Sequence, residues 1–307
     1  MAIEQEATFV ADGKSLYTKS WLPDGATKAT LVFVHGYSDH VNRYNPFFNW
    51  LAARGIAVHG FDQRGWGRSV TKPAEKGLTG PTSRVLADIA AFIELHLPKS
   101  STDPPIFVMG HSMGGGEVLT FLSDDTYQKD VVCHVRGWLL EAPFIGFPPE
   151  AAPSALKIFG ARLVGRLLPH RQMLNKLPPE DLTRDPAIVK SITEDKLMHD
   201  TGTLEGLAGL LDRTTALESG SVRPEGDAVK SLWIGHGTKD KATSYHASKK
   251  YFEQFLGAVA DKSFKSYEGW YHQLHNDGPE TEEFFQDVSD WILKRVGEEA
   301  GRTEAKL

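Results

Sequence analysis

The sequence predicts an α/β protein: a mostly parallel, doubly wound sheet carrying an inserted helical cap. Three observations carry this. Short, largely apolar runs recur at Thr30–Val34, Ile56–Phe61, Ile106–Met109 and Gly137–Ala142, as in strands buried on both faces. Helical patterns separate them, at Phe47–Arg54 (closed by Gly55) and Val85–Leu97. The alternation breaks after Pro143 and resumes at Lys230.

In order, residues 7 to 22 alternate around an Asp12-Gly13 turn and read as an opening hairpin. The Thr30–Val34 strand ends in His35-Gly36-Tyr37, and the Ile56–Phe61 strand in Asp62-Gln63-Arg64-Gly65-Trp66-Gly67. That second loop lacks the full glycine pattern of a phosphate cradle, so it reads as structural. Leu86, Ile89, Ala90, Ile93 and Leu97 form one stripe of the Val85–Leu97 helix. From about 146 to 225 there are helical patterns, punctuated by Pro148, Pro149, Pro153, Pro169, Pro178 and Pro179, and no clear strand. Lys230–Ile234, a helix over 244–257, the strand Ser263–Tyr267 and a last helix over 279–296 complete the pattern. The expected organisation is a core in two parts, 1–145 and 227–297, a helical cap over 146–226, and a flexible tail over 298–307.

Composition excludes several classes. The chain has 307 residues, 40% hydrophobic and 24% charged, with a net charge of −6 and no long basic run, so nucleic-acid binding has nothing to rest on. Cys133 is the single cysteine; an intrachain disulfide is impossible, a reducing compartment is the simple reading, and a small core residue is expected there. The first residues, Met1-Ala2-Ile3-Glu4-Gln5-Glu6, have neither the basic start nor the apolar stretch of a signal peptide. No window offers the ~20 apolar residues of a membrane span. The expectation is an intracellular, cytoplasmic protein, with peripheral contact to membranes or lipid droplets left open.

The chemistry centres on Gly110-His111-Ser112-Met113-Gly114, placed between an apolar strand and a helix. Glycines at 110 and 114 let the backbone turn sharply, so that Ser112 stands at the sheet's C-terminal edge over a helix N-terminus. The Met113 amide then points where a negative oxygen would form. A second amide is expected from the loop after the first buried strand, at Tyr37. A serine hydroxyl needs a base, and the base needs an anionic partner. On such a sheet the order is serine, acid, histidine, each after a strand. Asp240, in Gly237-Thr238-Lys239-Asp240, and His272, in Glu268-Gly269-Trp270-Tyr271-His272, meet that order. His275 is the competing base.

Together with His35-Gly36-Tyr37-Ser38-Asp39-His40, Arg43-Tyr44 and Tyr271-His272-Gln273-Leu274-His275, these motifs resemble the monoacylglycerol lipase family of α/β-hydrolases over roughly residues 5 to 295. The resemblance implies cleavage of a monoacylglycerol to glycerol and a fatty acid, without a cofactor or metal, by Ser112, Asp240 and His272, with the Tyr37 and Met113 amides as oxyanion hole. It implies that Asp39, Arg43 and His275 line a polar pocket for the glycerol end. Asp39 stands where the family often has glutamate, Tyr37 where it has a small residue, and Ile192 where a cap tyrosine is expected near the acyl channel. Lysophospholipase or general carboxylesterase activity and a low-turnover binding protein are the alternatives. Phe144, Ile145, Phe147 and Ile158 are candidate acyl-channel residues. Leu156, Phe159, Leu163, Val164, Leu167 and Leu168 share one helical stripe with basic neighbours, which suits a lid at an anionic membrane surface.

Overall fold

A computed structural model describes residues 2–150 and 164–304. Eight strands form the main sheet: β1 (Ile3–Ala11), β2 (Lys14–Leu22), β3 (Ala29–Val34), β4 (Ile56–Phe61), β5 (Ile106–His111), β6 (Gly137–Glu141), β9 (Ser231–Gly237) and β10 (Asp261–Tyr267). Their spatial order is β1-β2-β4-β3-β5-β6-β9-β10. β2 pairs antiparallel with both β1 and β4, and every other pairing is parallel. The helices that matter here are α1 (Asn45–Ala53), α2 (Thr82–Leu95), α3 (Met113–Leu122), α4 (Pro186–Glu194), α5 (Leu204–Glu218), α6 (Tyr245–Gln254) and α7 (Thr281–Glu304).

Strand β5 explains why the runs are apolar without alternation. Successive side chains point to opposite faces. Ile106 and Val108 pack with Leu86, Ile89 and Ile93 of α2 and Val118 and Leu122 of α3. Phe107 and Met109 pack on the other face with Phe47 and Phe48 of α1 and Phe284 and Val288 of α7. Both faces are covered, so every position of β5 is buried.

The structure corrects three expectations. The segment after Pro143 does contain strands: β7 (Gln172–Leu174) pairs antiparallel with β8 (Thr201–Thr203). Each is three residues long, too short to leave a period-two signature. The last helix, expected to end near 296, continues to Glu304 in α7. Cys133 is half-buried rather than in the core, beside the Lys129 carbonyl in a surface depression that also touches Glu225 and Lys230.

α5 is tied to α3 by a buried ion pair. Arg213 Nη2 lies 3.0 Å from Glu117 Oε1, and Arg213 Nη1 donates to Thr82 Oγ1 at 2.9 Å. Burial pushes the Glu117 carboxyl up to about 7, against the lowering effect of Arg213 and Gln63. Removing one partner of such a pair strands the other's charge in the interior. Arg213→Ala is expected to lower unfolding free energy by about 3 kcal/mol or more at pH 8, where Glu117 is ionised. Urea denaturation at pH 8 checks this; a loss below about 1 kcal/mol would mean that water reaches Glu117.

Candidate active site

The turn after β5 is built by close approach. Ser112 has φ 55° and ψ −119°, a left-handed conformation that a serine holds only where its surroundings fix it. The fixing contacts are all backbone. The Ser112 amide donates to the Glu141 carbonyl at 3.0 Å, and the Ser112 carbonyl accepts from Gly116 N at 3.1 Å and Phe144 N at 2.8 Å. A Cβ on Gly114 would collide with the carbonyl oxygens of Val34 and His35, and one on Gly110 would meet the Gly114 carbonyl. Gly114→Ala is therefore expected to cost about 2 kcal/mol or more of stability and to displace Ser112. Thermal unfolding together with the rate of covalent labelling by a fluorophosphonate checks it; unchanged values of both would refute the close-approach account.

Met113 opens α3, so its amide belongs to a helix N-terminus. Tyr37 lies just after β3, next to Ser38, which is also left-handed at φ 54°. Two bonds from one distant residue brace this loop. The Tyr37 hydroxyl donates to the Asp200 carbonyl at 3.1 Å, and the Asp200 amide donates to Ser38 Oγ at 2.7 Å. The Tyr37 ring packs on Trp66, centroids 4.8 Å apart, and Trp66 stacks on His199 at 5.0 Å. Tyr37, Trp66 and Met113 form an apolar cluster with Leu177, Leu207 and Leu210.

Asp240 and His272 meet. Asp240 Oδ2 is 2.7 Å from His272 Nδ1, and Asp240 Oδ1 accepts from the amides of Ala242 at 2.8 Å and Thr243 at 2.9 Å. Burial favours the neutral acid, but His272 and His236 outweigh it and hold the Asp240 carboxyl well below its usual range. His272 is raised above the ordinary histidine value; burial opposes its charge, and the charge and hydrogen bond of Asp240 more than offset that. Its Nδ1 is committed to Asp240, which leaves Nε2 as the nitrogen open to a hydroxyl. The Ser112 hydroxyl makes no hydrogen bond among the described residues. The His111 ring, one residue before Ser112, lies 4.8 Å from the His272 ring.

His275 is not on Asp240. Its Nδ1 is 2.6 Å from Glu141 Oε1, which also accepts from the His275 amide at 3.1 Å. Glu141, fully buried at the end of β6, has no counterpart in the sequence reading. Its only signal was its place at a strand end. Asp39 accepts from Tyr44 Oη at 2.6 Å and from the His40 amide at 2.8 Å, and Tyr44 Oη is 2.8 Å from His111 Nδ1. Arg43 turns away from Asp39: its Nη1 donates to Ser191 Oγ of α4 at 2.8 Å and lies 3.5 Å from Asp195. Donor atoms of His111, Glu141 and His275 lie within 4.8 Å of one another, the one metal-type grouping among the described residues. Glu141 is already paired with His275, and His111 with Tyr44, so the grouping reads as a hydrogen-bonded network.

The candidate channel residues separate. Ile145 is fully buried in the core with Val118 and Leu217. Phe144 packs on Phe147, centroids 4.8 Å apart, next to the elbow. Ile192 lines a cavity of about 330 Å³ with Tyr37, Leu177, Leu182 and Met198. Ile158 lies outside the described residues. Leu207 and Leu210 were not singled out from sequence, because a leucine in a helical segment looks the same whether it lines a site or a core, and Leu177, in a loop, carries no periodic signal at all.

Fold and edge geometry together define an α/β-hydrolase. The family model described as serine aminopeptidase, S33, matches residues 25–279. A Schizosaccharomyces pombe relative is 34% identical over 91% of this chain and 71% of its own length. The Mus musculus monoglyceride lipase is 28% identical over 93% of this chain and 89% of that protein. The structure of a soluble variant of Saccharomyces cerevisiae monoglyceride lipase, in complex with a substrate analogue, aligns with a TM-score of 0.84. That match covers 96% of both chains at 22% identity, a likeness of fold. The chain belongs to the α/β-hydrolase family that the S33 model describes, with the monoacylglycerol lipases it resembles.

Proposed function

We propose that the protein hydrolyses monoacylglycerols to glycerol and a fatty acid, with Ser112 as nucleophile, His272 as base and Asp240 as its anionic partner. The 2.7 Å contact between Asp240 and His272, beside the strained Ser112 turn, carries this reading. The similarity to monoglyceride lipases over nearly the whole chain supports the substrate class. Asp240 holds His272 with Nδ1 protonated and Nε2 as base. His272 takes the Ser112 proton as Oγ attacks the ester carbonyl. The Met113 and Tyr37 amides receive the oxyanion, each worth roughly 3 kcal/mol. The imidazolium then protonates the departing glycerol oxygen. Water, deprotonated by His272, releases the fatty acid and restores the serine.

Ser112→Ala is expected to reduce monoacylglycerol hydrolysis about a millionfold while leaving the unfolding temperature near wild type. A panel of mono-, di- and triacylglycerols with lysophosphatidylcholine checks the substrate. Faster turnover of the lysophospholipid would replace the proposed activity with the rival one.

The segment 146–226 is proposed to act as a cap that meets lipid surfaces, in an intracellular, peripheral protein. No helix among the described residues is long and apolar enough to cross a membrane. Leu167 is 74% exposed and Leu174 59%, with Val164, Leu168 and Met173 also exposed beside them in the chain. Exposed Arg166, Arg171 and Lys176 accompany them. Apolar side chains with basic neighbours suit an anionic bilayer surface. Leu156, Phe159 and Leu163 of the proposed stripe lie outside the described residues. The double variant Leu167→Asp/Leu174→Asp is expected to weaken sedimentation with vesicles of phosphatidylglycerol and phosphatidylcholine at least tenfold, and to spare turnover of a water-soluble short-chain ester. Unchanged sedimentation would remove this patch from the surface contact.

A further inference from the structure

Asp240 carries a second imidazole. Oδ2 is 3.0 Å from His236 Nε2 as well as 2.7 Å from His272 Nδ1, and Thr243 Oγ1 donates to it at 2.8 Å. His236 sits on β9, four residues before Asp240, and both side chains are fully buried. The other ring nitrogen, His236 Nδ1, is buried and has no hydrogen-bond partner among the described residues. An unpartnered buried N–H is costly, so the lone pair belongs on Nδ1 and the proton on Nε2. A ring protonated at Nε2 donates to Asp240. With the amides of Ala242 and Thr243 on Oδ1, the carboxylate is saturated with donors.

We propose, on the reading that Asp240 and His272 are the acid and base of the reaction, that His236 is a positioning residue that sets the strength of the base. It fixes the Asp240 carboxylate from the strand side and draws part of its negative charge away from His272. An imidazolium at His272 gains less from a carboxylate that already satisfies another donor. His272 therefore gives up its proton at a lower pH than it would beside an unshared Asp240. Other groups also face His272: His111 from β5, Glu141 from β6, Asp39 from the loop after β3, and Thr243 from the loop before α6. Tyr245 of α6 meets the His236 ring edge-on, centroids 5.9 Å apart. None of these changes when His236 alone is replaced.

The test is the acidic limb of kcat/KM against pH, which reports the base of the free enzyme. His236→Phe removes the donor, and His236→Gln places an amide N–H near the Nε2 position. His236→Phe is expected to move the limb up by about half a pH unit or more, so that activity fails sooner on acidification. The fall is expected in kcat, with KM little altered. His236→Gln is expected to return the limb to within about 0.2 units of wild type. A His236→Phe limb that stays or moves down overturns the proposal. If His236→Phe does not fold, the nitrogen-15 spectrum of the unsubstituted protein decides. A proton on His236 Nε2 supports the proposal, and a proton on Nδ1 alone overturns it. Ser112→Ala run in parallel separates the two levels. Retained hydrolysis there sinks the triad reading, whereas a dead Ser112→Ala with an unmoved limb sinks only the role of His236.

Discussion

Parallel pairing is the constraint on which the site depends. β3, β5, β6, β9 and β10 run in one direction, so their C-terminal ends share one edge. Tyr37, Ser112, Glu141, Asp240 and His272 all lie at or just beyond those ends. Distance along the chain is thereby decoupled from distance in space, although Ser112 and Asp240 are 128 positions apart. The loops after β9 and β10 are stitched together as well. Thr238 N donates to the Tyr267 carbonyl at 3.0 Å, Lys239 N to Trp270 at 2.9 Å, and Gly269 N to Thr238 Oγ1 at 2.8 Å. Asp240 and His272 thus sit on one hydrogen-bonded double loop, and the 2.7 Å contact between them follows from backbone pairing.

That edge buries an unusual set of charges. Asp39, Asp62, Glu141 and Asp240 are all nearly or fully buried, and among the described residues none is paired with a lysine or arginine side chain. Backbone amides serve Asp39 and Asp62, the latter through Val41 at 2.9 Å and Arg68 at 2.7 Å. Imidazoles serve Glu141 and Asp240. A permanent cation would neutralise a carboxylate for good, whereas an imidazole can change charge during a reaction. Away from the edge the protein chooses otherwise: Glu117 meets Arg213, and Asp88 takes Arg64 at 2.7 Å. Histidine is the partner at the edge where the proposed mechanism moves a proton.

Much of this was legible in the sequence because the same physics writes both. A strand covered on two faces needs apolar residues at every position, so β3 and β5 announce themselves. A turn that strains Ser112 needs Gly110 and Gly114, so the elbow does too. Glu141 was hidden because a carboxylate ending a strand has no pattern, and its partner His275 is 134 residues away. The Arg213–Glu117 pair was hidden for the same reason, across 96 residues. Cys133 was misplaced because apolar neighbours in sequence do not fix which way one short 3-10 turn faces. The end of α7 was missed because its polar residues past 297 are compatible with either coil or an exposed helix.

The segment proposed as a cap is more than a cover. Asp200 holds the loop that carries the Tyr37 amide, through Ser38 and the Tyr37 hydroxyl. Arg213 holds the helix that begins at Met113. Both proposed oxyanion donors are therefore anchored from outside the sheet, one by a backbone carbonyl and one by an ion pair. Both Ser38 and Asp200 are left-handed residues, and each fixes the other, so neither conformation persists without its partner. The Tyr37 ring and hydroxyl supply this anchorage. The placement of the Tyr37 and Met113 amides is consequently tied to the 199–213 stretch as well as to the sheet, and on the proposed mechanism a change that loosens that stretch acts on the chemistry.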